Sequence, residues 1–333
     1  VTFDQITNNI RNKIFHPVYF LQGEEAYYID AITEMLETHV VEDMYRDFSQ
    51  TVVYGRDVGP REVASLCRVY PMMGTHQLVV VREAQDMDKI EELEAELDRF
   101  PESTVLVINY KYKKIDGRKS FAKKLAQKGV LFESKRPYEN QIPDWIIKYL
   151  KQKNYTISPV AAQIMADHLG NDLSKLRNEL EKLIIPMPGG GKITEKEVEA
   201  NIGISKDFSI FELQKALAQR DFHKALRIAY YFGANNKEYP LIRTIILLYQ
   251  FFSKIIRYHQ TADKSRNNVA SVLGINPFFV EDYVAAGRAY PLQKALNAVN
   301  ILMEYDLKSK GVGVNSTEDG ELYKELIFKL MHV

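Results

Sequence analysis

Residues 17–30 read Pro17-Val-Tyr-Phe-Leu-Gln-Gly-Glu-Glu-Ala-Tyr-Tyr-Ile-Asp30. An apolar strand-like run (18–21) meets a turn, and a helical pattern (25–40) follows. Four more strand-like runs come after it: 50–54 (QTVVY), 77–81 (QLVVV), 104–108 (TVLVI) and 130–132 (VLF). Helical patterns over 60–70, 87–99 and 118–128 separate them. Strand and helix in alternation predict a parallel sheet with crossover helices. The strands are almost wholly apolar, as expected where both faces of a sheet are covered. In such a domain the loop after the first strand is where phosphate chemistry sits. That loop holds one glycine, no lysine and two adjacent carboxylates, Glu24 and Glu25. A nucleotide-binding P-loop needs several glycines for close backbone approach and a lysine for the phosphates. The acids suit the amino end of the next helix instead. The fold is thus of a nucleotide-binding type with no phosphate site.

Beyond Pro137 the pattern turns helical, and no strand is predicted. Helices are expected over 139–153, 159–168 and 172–185, the last with Leu173, Leu176, Leu180 and Leu183 on one face. Gly189-Gly-Gly-Lys192 follows two prolines rather than a strand, so it reads as a flexible connector. Thr194, three residues before Glu197, opens a short helix with a capping box. Seven further helices are expected over 207–219, 221–234, 239–261, 266–273, 277–288, 291–309 and 319–332, with a disordered loop at 311–316. The fold class is α/β plus all-α: an α/β domain over 1–138, a small helical domain over 139–206 and a larger helical domain over 207–333.

The 333 residues are 46% apolar and 26% charged, a globular composition. Lys plus Arg equals Asp plus Glu at 44 each, which excludes attachment to nucleic acid by bulk charge alone. The zero balance hides two blocks. Residues 83–102 carry nine acids against two bases, and residues 111–136 carry ten bases against two acids. The acidic block reads as a solvated helix face. The basic block, with Tyr110 and Tyr112 beside it, reads as either a solvated face or a phosphate contact. The one cysteine, Cys67, lies on an apolar helix face and forms no internal disulfide, which points to a reducing compartment. No two histidines share a helical metal spacing, and no nucleophile elbow, paired carboxylates or cofactor motif occurs. The first twenty residues lack the basic and apolar regions of a secretory signal. Lacking any apolar run long enough to span a bilayer, the chain is expected to be cytoplasmic and away from membranes.

Two short motifs remain. Pro71-Met-Met-Gly74 sits between a helix and a strand, at a sheet end where loops meet ligands. Its two methionines either fill the core or form an adaptable binding surface. The restricted backbone of Pro71 and the permissive one of Gly74 can turn both outward. Residues 270–279 resemble the turn of a helix-turn-helix. With the basic block they support a rival reading, a nucleic-acid-binding regulator. Against it, the second helix carries Glu281 and Asp282 near its amino end and only Arg288 as a base.

Four segments in order carry a family resemblance. They are residues 17–30; Pro71-Met-Met-Gly-Thr-His-Gln-Leu-Val-Val-Val-Arg82; residues 169–183 with 208–213; and Leu273-Gly-Ile-Asn-Pro-Phe-Phe279 with 302–308. Together they resemble the delta subunit of the bacterial DNA polymerase III clamp loader. The resemblance implies an AAA+-like α/β domain, a small helical lid domain and a C-terminal helical collar. It implies a subunit that does not hydrolyse ATP and needs no cofactor. It implies partnership with the sliding clamp, which the subunit grips and helps to open, with the ATPase subunits and delta-prime subunit of the loader, and with primed DNA through the assembled complex. The family's clamp-gripping apolar pair falls on Met72 and Met73, where many members carry Leu or Phe. Helix 60–70 is the expected adjoining surface. Tyr249, Phe251, Phe252, Ile255 and Ile256 are expected to supply apolar surface for assembly. Lys111, Lys113, Lys114, Lys119, Lys123 and Lys124 are the candidate DNA-facing residues.

Overall fold

A computed structural model describes residues 1–202, 208–312 and 318–333. The chain forms two compact units, Val1–Arg136 and Pro137–Val333. The expected boundary at 206/207 and most of the expected 311–316 loop lie outside the described residues.

The first unit begins with α1 (Phe3–Arg11), which the strand-and-helix pattern does not predict. Thr2 and Gln5 close a reciprocal capping box at its start, and Ile6 and Ile10 are buried. Then come β1 (Val18–Gly23), α2 (Ala26–His39), the short α3 (Arg46–Ser49), β2 (Gln50–Tyr54), α4 (Pro60–Cys67), β3 (Gln77–Arg82), β4 (Thr104–Lys111), α5 (Ser120–Lys128) and β5 (Val130–Ser134). The five strands pair in the order β2-β3-β4-β1-β5, all parallel. Alternate side chains enter two cores. Tyr19, Leu21, Val80 and Val107 meet Ile29, Ile32 and Leu36 of α2 on one face. Phe20, Val79, Leu106 and Ile108 meet Val63 of α4 and Phe121 and Leu125 of α5 on the other.

Where a helix is expected over 87–99 the chain makes two 3-10 turns, Ile90–Ala95 and Leu97–Arg99, preceded by another at Ala84–Asp86. Its acids crowd one another at helical spacing, an unfavourable arrangement. They turn across to bases elsewhere: Glu91 to Lys119, Glu96 to Arg68, Asp98 to Lys124 and Lys128. The acidic block is therefore not a solvated helix face.

The second unit contains α6 (Ile142–Gln152), β6 (Tyr155–Ile157), α7 (Pro159–Leu169), α8 (Leu173–Ile184), β7 (Gly191–Ile193) and α9 (Glu195–Ile202). After these come α10 (Ile210–Ala218), α11 (Phe222–Ala234), α12 (Leu241–Gln260), α13 (Arg266–Leu273), α14 (Val280–Ala289), α15 (Leu292–Ser309) and α16 (Asp319–His332). The parallel pair β6–β7 corrects the expectation of no strand beyond Pro137. The triple glycine is not merely a connector. Gly189 and Gly190 take positive φ in the turn, and Gly191 starts β7. Three-residue strands are too short for alternation to reveal them.

Candidate functional site

The parallel sheet has two ends, and they differ in kind. At its carboxyl end, β1 runs into the loop where a nucleotide site would form. Gly23 donates its N–H to the Lys113 carbonyl (3.1 Å) and accepts from Tyr112 (2.8 Å), and Glu24 donates to the Ser134 carbonyl (3.1 Å). The Gln22 side chain accepts from the Ile115 amide at 2.9 Å. Gly23 holds φ +124°, and a Cβ there would stand 2.1 Å from the Ser134 oxygen. At the start of α2 the buried Glu25 carboxylate accepts from the Tyr27 amide (3.1 Å), filling the anion position with the chain's own charge.

A half-buried ion triad closes the same end. Lys111 Nζ lies 2.8 Å from Asp30 and 3.2 Å from Glu83. Gln85 binds both the Lys111 amide and the Glu83 carboxylate. Burial disfavours the Lys111 charge, but the hydrogen bonds and fields of Asp30 and Glu83 outweigh it and hold its pKa above the ordinary lysine value. Burial also opposes the Glu83 charge, and Gln85 and Lys111 overcome it to hold that carboxyl below its ordinary value. The amides of Gly23, Glu24 and Tyr27 that would face a phosphate are already satisfied within the protein.

The amino end carries Met72 and Met73. They precede β3, so they stand at the end of the sheet opposite the one where loops of α/β proteins usually meet ligands. Met72 is 80% exposed and Met73 54%. Of the two readings left open by the sequence, the outward one is observed. The loop is pinned from below. The Gln77 side chain donates to the Leu66 carbonyl, Thr104 to the Cys67 carbonyl and Ser49 Oγ to the Met73 carbonyl at 3.0 Å. Gly74 takes φ +80° with the Tyr45 ring beneath it. Cys67 is buried, and burial pushes its thiol up to about 12, so it is an inert core residue.

The expected adjoining surface differs in detail. The helix predicted over 60–70 stops at Cys67, because Pro71 disfavours helical backbone at the residue before it. The exposed side of α4 is Arg61, Glu62 and Ser65, and the apolar continuation is Val69 and Tyr70, both exposed. Sequence reasoning missed the segment before β2, where Met44 and Phe48 are also exposed. Its one sequence signal was a pair of large apolar residues between a helix end and a strand start.

The six candidate lysines do not form one open patch. Lys111 belongs to the half-buried triad, Lys114 pairs with Glu133, Lys119 with Glu91 and Lys124 with Asp98. The ammonium groups of Lys124 and Lys128 hold the Asp98 carboxyl down at about 2. Among the described residues, Lys113 and Lys123 are the exposed members of the six without an ion pair.

In the second unit, the expected assembly residues separate by face. Phe251, Phe252 and Ile255 of α12 are core, and Ile256 packs against that core. Tyr249 is exposed, with Ile242 and Ile246. The helix period explains this, since Leu241, Ile245, Leu248 and Phe252 share the inward stripe. On α15, Leu292, Leu296, Met303 and Leu307 form an exposed apolar stripe. The helix-turn-helix-like corner is packed. Val280, Tyr283 and Ala286 of α14 are buried, and a Cβ on Gly287 would stand 2.6 Å from the Tyr258 ring of α12. Among the described residues no group of His, Cys, Asp and Glu could hold a metal ion, and no helix is long and apolar enough to cross a membrane.

Comparison with known proteins supplies the remaining findings. Residues 19–135 match the family model described as DNA polymerase III, delta subunit, and residues 207–328 match that of the DNA polymerase III delta subunit, C-terminal domain. The DNA polymerase III subunit delta of Bacillus subtilis is 25% identical over 323 residues, covering 93% of this chain and 92% of that one. The probable DNA polymerase III subunit delta of Aquifex aeolicus is 23% identical over 223 residues, covering 63% and 62%. Among solved structures, the Bacillus subtilis DNA clamp loader delta protein superposes with a TM-score of 0.54 at 22% identity, covering all of both chains.

Proposed function

The chain belongs to the DNA polymerase III delta-subunit family, and from that premise we propose that it grips the sliding clamp through Met72 and Met73. The family is a non-catalytic part of the clamp loader, and its role is to bind the clamp and promote its opening. A closed ring opens when a partner binds its open form better than its closed form, so the subunit needs a firm point of attachment. Two large apolar side chains supply about 1.5–3 kcal/mol each on burial. Association costs consume much of that, so the surface around them must contribute as well.

The observation that carries this reading is the outward presentation of both methionines on a loop held rigid at its base. Ordered, exposed apolar pairs suit a docking partner, because little freedom is lost on binding. The closed carboxyl end of the sheet agrees with a subunit that leaves ATP to its neighbours. We assign those neighbours as the ATPase subunits and the delta-prime subunit of the loader, acting in the cytoplasm. The chain would be organised as an AAA+-like domain over 1–138, a lid over 139–206 and a collar over 207–333. The exposed stripe of α15 and the Ile242, Ile246 and Tyr249 face of α12 are the natural collar contacts. Primed DNA would be met through the assembled complex, with Lys113 and Lys123 as the lysines free to face it.

The test is equilibrium binding of the full chain to purified sliding clamp, comparing the parent with M72S/M73S. A fall of tenfold or more in affinity, with unfolding unchanged, is the expected result. Parent-like affinity would move the grip to another surface.

A further inference from the structure

We propose that Met44 and Phe48, in the segment before β2, form a second apolar contact on the sliding clamp beside the Met72–Met73 loop; this rests on the reading that the loop grips the clamp. The segment and the loop are neighbours by construction. Each immediately precedes one of two adjacent parallel strands, with Gln50 of β2 opposite Leu78 of β3. Two ties join them. Ser49 Oγ donates to the Met73 carbonyl at 3.0 Å. The Tyr45 ring lies beneath Gly74, close enough that a Cβ there would meet it at 3.3 Å. Any displacement of one segment is therefore felt by the other.

The side chains within 44–49 divide sharply. Tyr45 packs against the core and Ser49 is buried. Met44 and Phe48 point away, 70% and 65% exposed. A phenylalanine ordinarily belongs inside, and here it stands on a short helix whose inward position is taken by serine. The polar residues around the two are of the kind that rims an interface, with Arg46 paired to Asp43 at 2.6 Å.

The sliding clamp is the occupant that fits. The surface is continuous with the Met72–Met73 loop, and α4 offers only polar side chains on its exposed face. Further exposed apolar side chains at the same end of the sheet are Val69 and Tyr70, next to the loop in sequence, and Met44 and Phe48, whose segment is tied to it through Ser49 and Tyr45. A phenylalanine buried on binding is a frequent hot spot.

The experiment measures dissociation of the full chain from immobilised sliding clamp for the parent, M44S/F48S and M72S/M73S. M44S/F48S should weaken binding about fivefold or more, chiefly through faster dissociation. M72S/M73S should weaken it at least tenfold. If M72S/M73S loses affinity and M44S/F48S stays within about twofold of the parent, the second contact is wrong and the loop reading stands. If M72S/M73S binds like the parent, the loop reading fails, whatever M44S/F48S does. A second measurement guards against misfolding. The full chain with Phe48 replaced by p-benzoylphenylalanine, irradiated with the clamp, should give a clamp adduct. An adduct only with a second copy of the chain, or none in a mixture where the complex forms, would overturn the proposal.

Discussion

The two ends of the five-stranded sheet are made from the same strands and have opposite surfaces. At the carboxyl end, backbone amides are paired, a glycine stands where no side chain fits, and Lys111 is held between Asp30 and Glu83. At the amino end, large apolar side chains stand in solvent on loops whose own backbones are tied down. Topology alone directs attention to the carboxyl end, where α/β sheets hold their ligands. Burial and hydrogen-bond accounting reverse that. Of the exposed large apolar side chains of this unit, Met44, Phe48, Val69, Tyr70, Met72 and Met73 gather at the amino end, against Tyr54 and Tyr112 at the carboxyl end.

Substitutions can break this contrast, beginning where the effect should be largest. G23A places a methyl 2.1 Å from the Ser134 oxygen at a φ that other residues rarely adopt. It should cost on the order of 3 kcal/mol in denaturant unfolding. A cost near zero would mean that the carboxyl end is loose enough to admit a ligand. K111M strands two carboxylates and should cost on the order of 1.5 kcal/mol near neutral pH, less than a fully buried pair because water screens both acids. Its pH profile carries a sign. Lys111, raised in the folded state, contributes stability fully below the unfolded lysine value, and loses it as pH rises through the higher folded value. Glu83, lowered in the folded state, contributes above the unfolded glutamate value, and loses it as pH falls through the lower folded value. The gap between parent and K111M should therefore narrow at both extremes. A constant gap would assign the effect to packing rather than to charge.

The amino end should behave in the reverse manner. M72A/M73A should leave unfolding within about 0.5 kcal/mol of the parent, since exposed side chains cost little to truncate. Clamp binding should still fall by at least about 1.4 kcal/mol, a factor of ten. A lowered melting temperature with intact clamp affinity would make the two ends alike. The smallest effect concerns the basic block. K113A/K123A in the assembled loader should flatten the salt dependence of primed-DNA binding, by up to about 0.9 in log–log slope for each phosphate no longer neutralised. An unchanged slope would leave these lysines to solubility.

Much of this was legible in the sequence, for reasons that can be traced to residues. The strands announced themselves because a doubly covered sheet needs unbroken apolar runs such as Leu78 to Val81. The missing phosphate site was legible because Glu24 and Glu25 stand where glycine and lysine are required. Met72 and Met73 were legible as a motif through Pro71 and Gly74, although which way they faced was not. The ion pairs were hidden because they join residues far apart in sequence, as Lys119 and Glu91 do, and only the fold brings them together. Charge crowding over 91–98 broke a helix that apolar spacing alone favoured. Phe48 and Met44 were invisible as surface residues, because residue type signals burial and nothing local reports that the inward positions are taken by Tyr45 and Ser49.

The central claim is that the amino end of the sheet, and not the carboxyl end, meets the clamp. Amide hydrogen exchange of the full chain with and without purified sliding clamp tests it directly. The account predicts new protection across residues 69–75 and 44–49, and none across 22–30 or 111–115. Protection confined to 22–30 and 111–115, with 69–75 exchanging as in the free chain, would contradict it.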